Sequence, residues 1–465
     1  MYGFHIEKDQ TVSNAKQLQI QIREAIITGK LVAGEQLPPT RKLSLGLNIA
    51  RNSVIEAYEQ LIAEGYLESR TGSGTYIADI GNTSSIYYHT STYADLRENK
   101  QTDVISFNAG SPDELSFPRN LWGKVIKNAI IDDSSFFSFT GSTLLQKEIC
   151  SYVFRTKGVV CDYRQIVIVN GASGGLDIIA KAFVDHGNHI AMEDPCIHFA
   201  HEIFAKHKYT IHPVPVDNQG MITDKLNELE NVDLIYTVPS HQFPIGGVMP
   251  AKRRLSLLSY ALKKNAYLIE DDYDSEFRYS GDALQALHNL NPDRVIYVGS
   301  FSKIFSPYLR LGYLILPFQL CSMITDQIER SNQWVNTATQ LAMAELLSKK
   351  YIDRHTYRMK KIYEEKRIYL MNKFYEVFAN RISISGEYAG LHFLVSFDKN
   401  IGNEDLQRMT SLGVEADFVE DYALIKKNHE NMLVIGYGNL SFSQMDIGVY
   451  RLKQALYPDT DIANL

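Results

Sequence analysis

The run GSFSKIFSPYLRLGYLILP places Ser300 and Ser302 just before Lys303, and Arg310 seven residues after it. A lysine amine adds to an aldehyde to give a Schiff base, while hydroxyl donors and a guanidinium fork receive a phosphate dianion. Lys303 is therefore the candidate catalytic residue, and an aldehyde carrying a phosphate is the group this spacing suits. Pyridoxal 5′-phosphate (PLP) is the candidate cofactor. Three further segments add to the set. IVIVN leads into Gly171-Ala172-Ser173-Gly174-Gly175 and a helical pattern, a glycine-rich turn at a helix N-terminus where backbone N–H groups can bind phosphate. By itself such a turn is equally a plain strand-to-helix connection. AYLIE leads into Asp271-Asp272-Tyr273, which offers a carboxylate to a protonated pyridine nitrogen and a hydroxyl to a ring phenolate. LIYTV leads into PSHQFPIGG, where Gln242 or His241 supplies another donor to the ring oxygen.

Residues of this kind need rigid strand ends to hold them. From Ile105 onward, the short apolar runs IVIVN, HIAME, LIYTV, AYLIEDD, RVIYVGS and YLILP alternate with helical patterns. That alternation predicts an α/β domain with a parallel or mixed sheet, and the chemical residues fall at strand ends, where ligands of such sheets bind.

The first eighty residues follow a different plan. Leu18, Ile22, Ala25 and Ile26 recur at helical spacing, predicting a helix from about Asn14 to Thr28 that Gly29 ends. After Pro38-Pro39, Thr40 is the expected N-cap of a short helix to Leu47. A third helix is expected from Ala50 or Arg51 to Glu64, with Val54, Ala57, Tyr58, Leu61 and Ile62 inward and Gly65 as its C-cap. Packed as a helix-turn-helix, these leave Arg51, Asn52 and Ser53 exposed at the start of the third helix, where base edges and phosphates would lie. YLESRTGSGTYI then reads as a two-stranded wing turning at Gly72-Ser73-Gly74, with Arg70 and Thr71 as added donors. A dimerisation bundle with an ordinary hairpin fits the same pattern with less chemistry.

The chain has 465 residues, 45% apolar and 22% charged, which suits a multidomain globular protein. Its net charge of −7 argues against general nucleic-acid affinity, so DNA binding would rest on a local positive footprint. Between Gln36 and Ile55, Arg41, Lys42 and Arg51 occur with no acidic residue. No apolar run reaches the roughly 18 residues of a membrane helix, and a cytoplasmic protein is expected. Cys150, Cys161, Cys196 and Cys321 show no metal-binding spacing, so no metal is expected. The expected domains are 12–78, a polar linker over 79–104, and 105–465.

The segment LPPTRKLSLGLNIARNSVIEAYEQLIAEGYLESRTGSGTYI resembles the winged helix-turn-helix domain of the GntR superfamily. The resemblance implies double-stranded DNA contacts at Arg41, Arg51, Asn52, Ser53, Thr71, Gly72, Ser73 and Gly74. Nearly all of residues 105–455 resemble a fold-type I PLP-dependent aminotransferase. TVPSHQFPIGG, IEDDYDSEFRY and SFSKIFSPYLRLGY match the MocR/GabR subgroup of GntR regulators, in which an aminotransferase-like domain senses effectors. By that resemblance Lys303 is the Schiff-base lysine, Asp271 partners the pyridine nitrogen, and Tyr273 contacts the ring oxygen. Ala172, Ser173, Ser300, Ser302 and Arg310 take the phosphate, and the protein is a homodimer.

Two positions depart from the pattern. The subgroup stacks an aromatic residue on the ring two places after the proline of EDP, but EDPCIHF puts Ile197 there, leaving His198, Phe199 or Ile197 itself to meet the ring face. Aminotransferases also hold a substrate carboxylate with an arginine shortly before the last strand. This chain has none between Arg408 and Arg451, and Met432 or Asn431 stands near that place. Losing such a clamp removes about 2–5 kcal/mol of binding, and Lys426 or Lys427 would be the substitutes. The expected function is thus a PLP-dependent DNA-binding regulator that senses PLP or an amine, with an active aminotransferase as the alternative.

Overall fold

The computed structural model describes residues 3–7, 12–81, 104–131, 138–281 and 285–458. Most of the linker expected over 79–104 lies outside the described residues. The chain divides into two compact units, residues 1–100 and 101–465.

In the smaller unit, helix α1 (Asn14–Ile27) begins where the Ser13 side chain accepts from the Lys16 amide at 3.3 Å. Its 3.6-residue period buries Leu18, Ile22, Ala25 and Ile26. Helix α2 (Thr40–Leu47) starts one residue earlier than expected: Pro39 holds the N-cap position in extended conformation, so Thr40 lies in the first turn and does not cap. Its hydroxyl instead accepts from Arg51 Nε at 3.3 Å. Helix α3 (Arg51–Ala63) buries Val54, Ala57, Tyr58 and Leu61, with Ile62 partly covered. Glu64 is its C-cap, and Gly65 follows at φ +80°, the left-handed conformation that glycine adopts without strain. The Tyr58 hydroxyl donates to Pro38 O at 2.9 Å and ties α3 to the segment before α2. Strands β1 (Leu67–Arg70) and β2 (Gly74–Ile77) pair antiparallel from Leu67↔Ile77 to Arg70↔Gly74, which is the expected hairpin.

The larger unit is built on an eight-stranded sheet. Its order is Ile166–Val169, Gly312–Ile315, Val295–Ser300, Tyr267–Asp272, Leu234–Thr237, His189–Asp194, Thr210–Asp217 and Gly220–Met221. Gly312–Ile315 runs antiparallel to both of its neighbours, while the five strands from Val295–Ser300 to Thr210–Asp217 are mutually parallel. Helices cover both faces, which is why the central strands are buried along their whole length and read as unbroken apolar runs. Ile166, Ile168, Tyr297, Tyr313 and Ile315 enter one core, and Val167, Val169, Ile296, Val298 and Leu314 enter the core on the opposite face.

The register brings the strand ends into line. Val169 pairs with Gly312, Gly312 with Ser300, and Gly299 with Asp272. All the loops singled out from the sequence therefore open on one edge of the sheet. Gly312 has to be glycine at this crowded point: a Cβ there would stand 2.9 Å from Gly299 O and 3.0 Å from Gly171 Cα. A second, antiparallel sheet of Ile382–Ser385, His392–Phe397, Met432–Gly436 and Asp417–Phe418 packs with helices Tyr351–Phe378 and Phe442–Leu456. Folding also brings Cys150 and Cys161 to 3.6 Å between sulfurs, a proximity that their spacing in the sequence does not signal.

Because Leu61 is fully buried between the helices of the smaller unit, Leu61→Ala is expected to cost that unit about 2–5 kcal/mol. Hydrogen exchange followed by mass spectrometry should show protection lost over residues 14–77 and retained in the sheet of the larger unit. Equal loss in both units would contradict their separate cores.

Candidate functional site

Strand Tyr267–Asp272 ends in three consecutive acids, and alternation along the strand sends Glu270 and Asp272 to one face and Asp271 to the other. Glu270 accepts the amides of Leu287 at 2.7 Å and His288 at 2.8 Å. Burial alone would raise the pKa of Asp272, but Lys157 at 2.8 Å, with donors from Tyr297 and Ser275, holds it below the ordinary carboxylate value. Asp271, 3% exposed, receives only the Tyr236 hydroxyl on Oδ2 at 2.7 Å. Among the described residues, its Oδ1 is buried without a partner. Burial pushes its pKa up to about 7, against the Tyr236 hydrogen bond that lowers it. A buried acceptor in this state fits a cationic ring N–H.

Lys303 follows the neighbouring strand Val295–Ser300, and its Nζ donates to Gly110 O. Gly110, at φ +78°, leaves the space the amine occupies; a Cβ there would collide with Nζ. The dry surroundings of Nζ lower the lysine pKa, while Asp274 and then Asp271 raise it. A lowered pKa makes the neutral, nucleophilic amine more available.

The phosphate-binding residues expected from the sequence converge beside it. Arg310, itself at φ +48°, donates to Ser173 Oγ at 2.7 Å and to Asn170 O at 3.2 Å. Helix Gly171–Phe183 starts there with no side-chain cap, which leaves amides of its first turn, Ala172 and Ser173 among them, open to an anion. Ser302 N donates to Ser300 Oγ at 3.1 Å, folding the turn after the strand so that both hydroxyls stay near its end. The cradle, the amine and the free carboxylate oxygen together fit a planar heteroaromatic aldehyde phosphate.

Tyr273 points its hydroxyl at His241 Nδ1, 3.1 Å away. Gln242 sits differently from the expectation. Its amide nitrogen donates to Pro195 O at 2.8 Å and Phe243 O at 2.7 Å, and its oxygen accepts from Ile245 N at 3.1 Å. Its side chain clips the loop, and of the expected ring-oxygen donors only Tyr273 and His241 face one another here. Ile197 packs against the cluster of Phe243, Leu394, Val419 and Val434, so the position without an aromatic ring is part of an apolar wall. Met432 and Val434 extend the wall from the last strand, while Asn431 turns away to donate to Phe397 O at 2.8 Å. Lys426 and Lys427 are exposed, and Lys426 Nζ donates to the carbonyls of Glu420 and Asp421 in its own loop. The sequence reading missed Gly110, Tyr236, Asp274 and His392, whose only signal was a place in an otherwise ordinary strand or loop.

In the smaller unit Arg41, Arg51, Asn52, Thr71, Gly72, Ser73 and Gly74 are exposed and Ser53 is half-buried. Ala50 precedes α3 without a side-chain cap, so amides of the first turn are open beside Arg51 and Asn52. Arg70 is already engaged, by Glu68 at 2.5 Å and by the Tyr76 ring 4.4 Å from its guanidinium carbon.

Residues 102–435 match the family model of aminotransferase class I and II, and residues 14–77 match that of bacterial regulatory proteins, gntR family. The chain is 32% identical over 462 residues to the uncharacterized HTH-type transcriptional regulator YhdI of Bacillus subtilis (strain 168), covering 97% of this chain and 98% of that one. It is 30% identical over 470 residues to the probable rhizopine catabolism regulatory protein MocR of Rhizobium meliloti, covering 97% and 95%. It is 31% identical over 354 residues to the HTH-type pyridoxine biosynthesis transcriptional regulator PdxR of Corynebacterium glutamicum, covering 76% of each. Among solved structures, the kynurenine aminotransferase of Pyrococcus horikoshii shares the fold, with a TM-score of 0.71 at 23% identity over 77% of this chain and 92% of that one. The chain therefore belongs to the MocR subgroup of gntR-family transcriptional regulators, in which a helix-turn-helix head is joined to a class I and II aminotransferase domain.

Proposed function

We propose that this protein is a PLP-dependent DNA-binding transcriptional regulator that senses PLP, or an amine that reacts with it, through a Schiff base at Lys303. The observation that carries the reading is the buried, unpartnered Oδ1 of Asp271 in the same chamber as the Lys303 amine, within a chain that also carries a winged helix-turn-helix. Bound PLP supplies an electrophilic aldehyde and an electron-withdrawing pyridinium ring. Lys303 provides the attacking amine. Asp271 holds the ring nitrogen's proton, Tyr273 donates to the ring oxygen, and Ala172, Ser173, Ser300, Ser302 and Arg310 receive the phosphate. The name of the Corynebacterium glutamicum relative links it to pyridoxine biosynthesis, which supports a B6 vitamer as a ligand here.

Sensing is favoured over amino-acid transamination by the missing carboxylate clamp. No arginine lies between Arg408 and Arg451 to give a substrate carboxylate a charged, bidentate partner, and Ile197, Phe243, Met432 and Val434 belong to an apolar cluster. An apolar wall gives such a group nothing in exchange for its water.

DNA recognition in this reading rests on Arg41, Arg51, Asn52 and Ser53 of the helices and on Thr71 to Gly74 of the wing, in the cytoplasm where an operator is accessible. One small head makes few contacts, so two heads on one operator and a homodimer are inferred. Exposed apolar surface supports the second copy: Leu115 is 87% exposed and Tyr308 74% exposed, and Tyr308 borders a cleft also lined by Phe117, Trp122 and Phe305. Coupling between ligand and operator then follows from any difference in ligand affinity between two arrangements of the heads.

The purified protein with PLP is expected to absorb in the visible range, and Lys303→Ala to lose that band while keeping its fold by circular dichroism. A colourless wild-type protein whose operator retention ignores added PLP and amines would remove the proposal. In a separate measurement, Arg51→Ala should weaken operator binding by about 1–3 kcal/mol, roughly 5- to 150-fold, with the colour unchanged.

A further inference from the structure

Behind Tyr273 lies a polar cluster that the functional reading leaves unused. His241 Nδ1 is 3.0 Å from Asp274 Oδ1, 3.1 Å from Asp274 Oδ2 and 3.1 Å from the Tyr273 hydroxyl. His241, Asp274 and His392 are each 1% exposed. The ring planes of His241 and Tyr273 are stacked, with centroids 5.9 Å apart. Gly390 closes the cluster, since a Cβ at that position would collide with Asp274 Oδ2 and with the His241 ring. His392, on the adjoining strand, donates from Nε2 to Pro244 O at 3.1 Å, and burial holds it neutral with a pKa near 3. Ligand atoms of these three residues lie within 4.8 Å of one another; His241 Nδ1 and Asp274 share a proton, His392 Nε2 is bonded to Pro244 O, and among the described residues His241 Nε2 is buried without a partner.

We propose that Asp274 and His241 are positioning residues that set the protonation of the Lys303 Schiff base, acting through the hydroxyl of Tyr273 and through the charge of Asp274. The inference rests on the PLP reading above. Asp274 has two claims on this chamber. It shares His241 Nδ1 with the Tyr273 hydroxyl, whose pKa burial and then the Asp274 charge push up, and its charge raises the proton affinity of Lys303 more than that of Asp271 does. The titratable groups facing the lysine are thus Asp274, Asp271 and the neutral His392.

The Tyr273 hydrogen can serve one acceptor at a time, either the Asp274 carboxylate or a phenolate oxygen of the ring. The Nδ1 hydrogen of His241 decides between them. Donated to Asp274, it offsets part of the carboxylate's charge, weakens its pull on the tyrosine hydrogen and leaves that hydrogen for the ring oxygen. A donor at that oxygen weakens its hold on the imine proton and lowers the pKa of the imine. Without the histidine donor, Asp274 captures the tyrosine hydrogen and the imine pKa rises.

The two arms of the pair therefore predict shifts of opposite sign. Asp274→Asn keeps the shape but removes the charge, and should lower the pH midpoint of the visible-to-ultraviolet absorbance change by about one unit. His241→Phe removes the donor and should raise the midpoint by a similar amount. Titrations on full-length protein loaded with PLP, with circular dichroism to confirm folding, give both values. Should Asp274→Asn fail to fold, His241→Phe still decides, because an unchanged or lowered midpoint overturns the inference. Shifts of the same sign, or none in a protein that holds PLP, also overturn it. A wild-type protein that binds no PLP would instead remove the reading on which the inference stands. Addition of zinc ions provides a control, since a midpoint that moves with zinc and returns with chelator would replace the proton-sharing network with a metal site.

Discussion

The site depends on how one strand disposes of three adjacent carboxylates at its end. Burying an unpaired carboxylate costs several kcal/mol, so each needs its own remedy. Glu270 is met by backbone amides, and Asp272 by the ammonium of Lys157. Asp271 alone is left with an oxygen free, and it faces the chamber that holds Lys303. The pleat of the strand separates Asp271 from the other two, so the neutralising lysine cannot reach it. A free acid pushed up to about pH 7 by burial lacks a cation, and the pyridinium of PLP would complete it.

The remainder of the larger unit can be understood as support for that arrangement. An antiparallel strand, Gly312–Ile315, sits between two strands that run the same way as one another, and its first glycine lets three chain segments meet without a Cβ in between. The helix at Gly171 and the turn at Ser300 are brought to the same edge as Asp271 by register, and Arg310 bridges to Ser173 across that edge. Hydrogen bonds from Gln242 to two carbonyls hold the loop that carries His241, so a residue read as a ligand contact does its service one step removed.

Ile197, Phe243, Met432 and Val434 belong to one apolar cluster of the larger unit. Fold similarity at 23% identity speaks only of architecture. The character of a ligand follows from the side chains that line its chamber, not from the fold.

Local sequence determined much of this molecule. Helical period, the Gly65 stop, the wing's Gly-Ser-Gly turn and the apolar strands were legible because they depend on neighbours a few residues away. Lys303, Asp271, Tyr273 and Arg310 stood out for the same reason, since motif spacing is local. The one helix start misread, at Thr40, turned on whether Pro39 or the residue after it held the cap. Tertiary structure alone decided which partners these residues keep. Lys303 meets Gly110 across 193 residues, Lys157 meets Asp272 across 115, and Tyr236 meets Asp271 across 35. Such pairings leave no periodic trace in a single chain, because they arise from the register of strands and the crossing of loops. The same holds for Gln242, whose donors are used up by backbone that only the folded loop brings near, and for Gly110, whose missing side chain matters only once an amine arrives beside it.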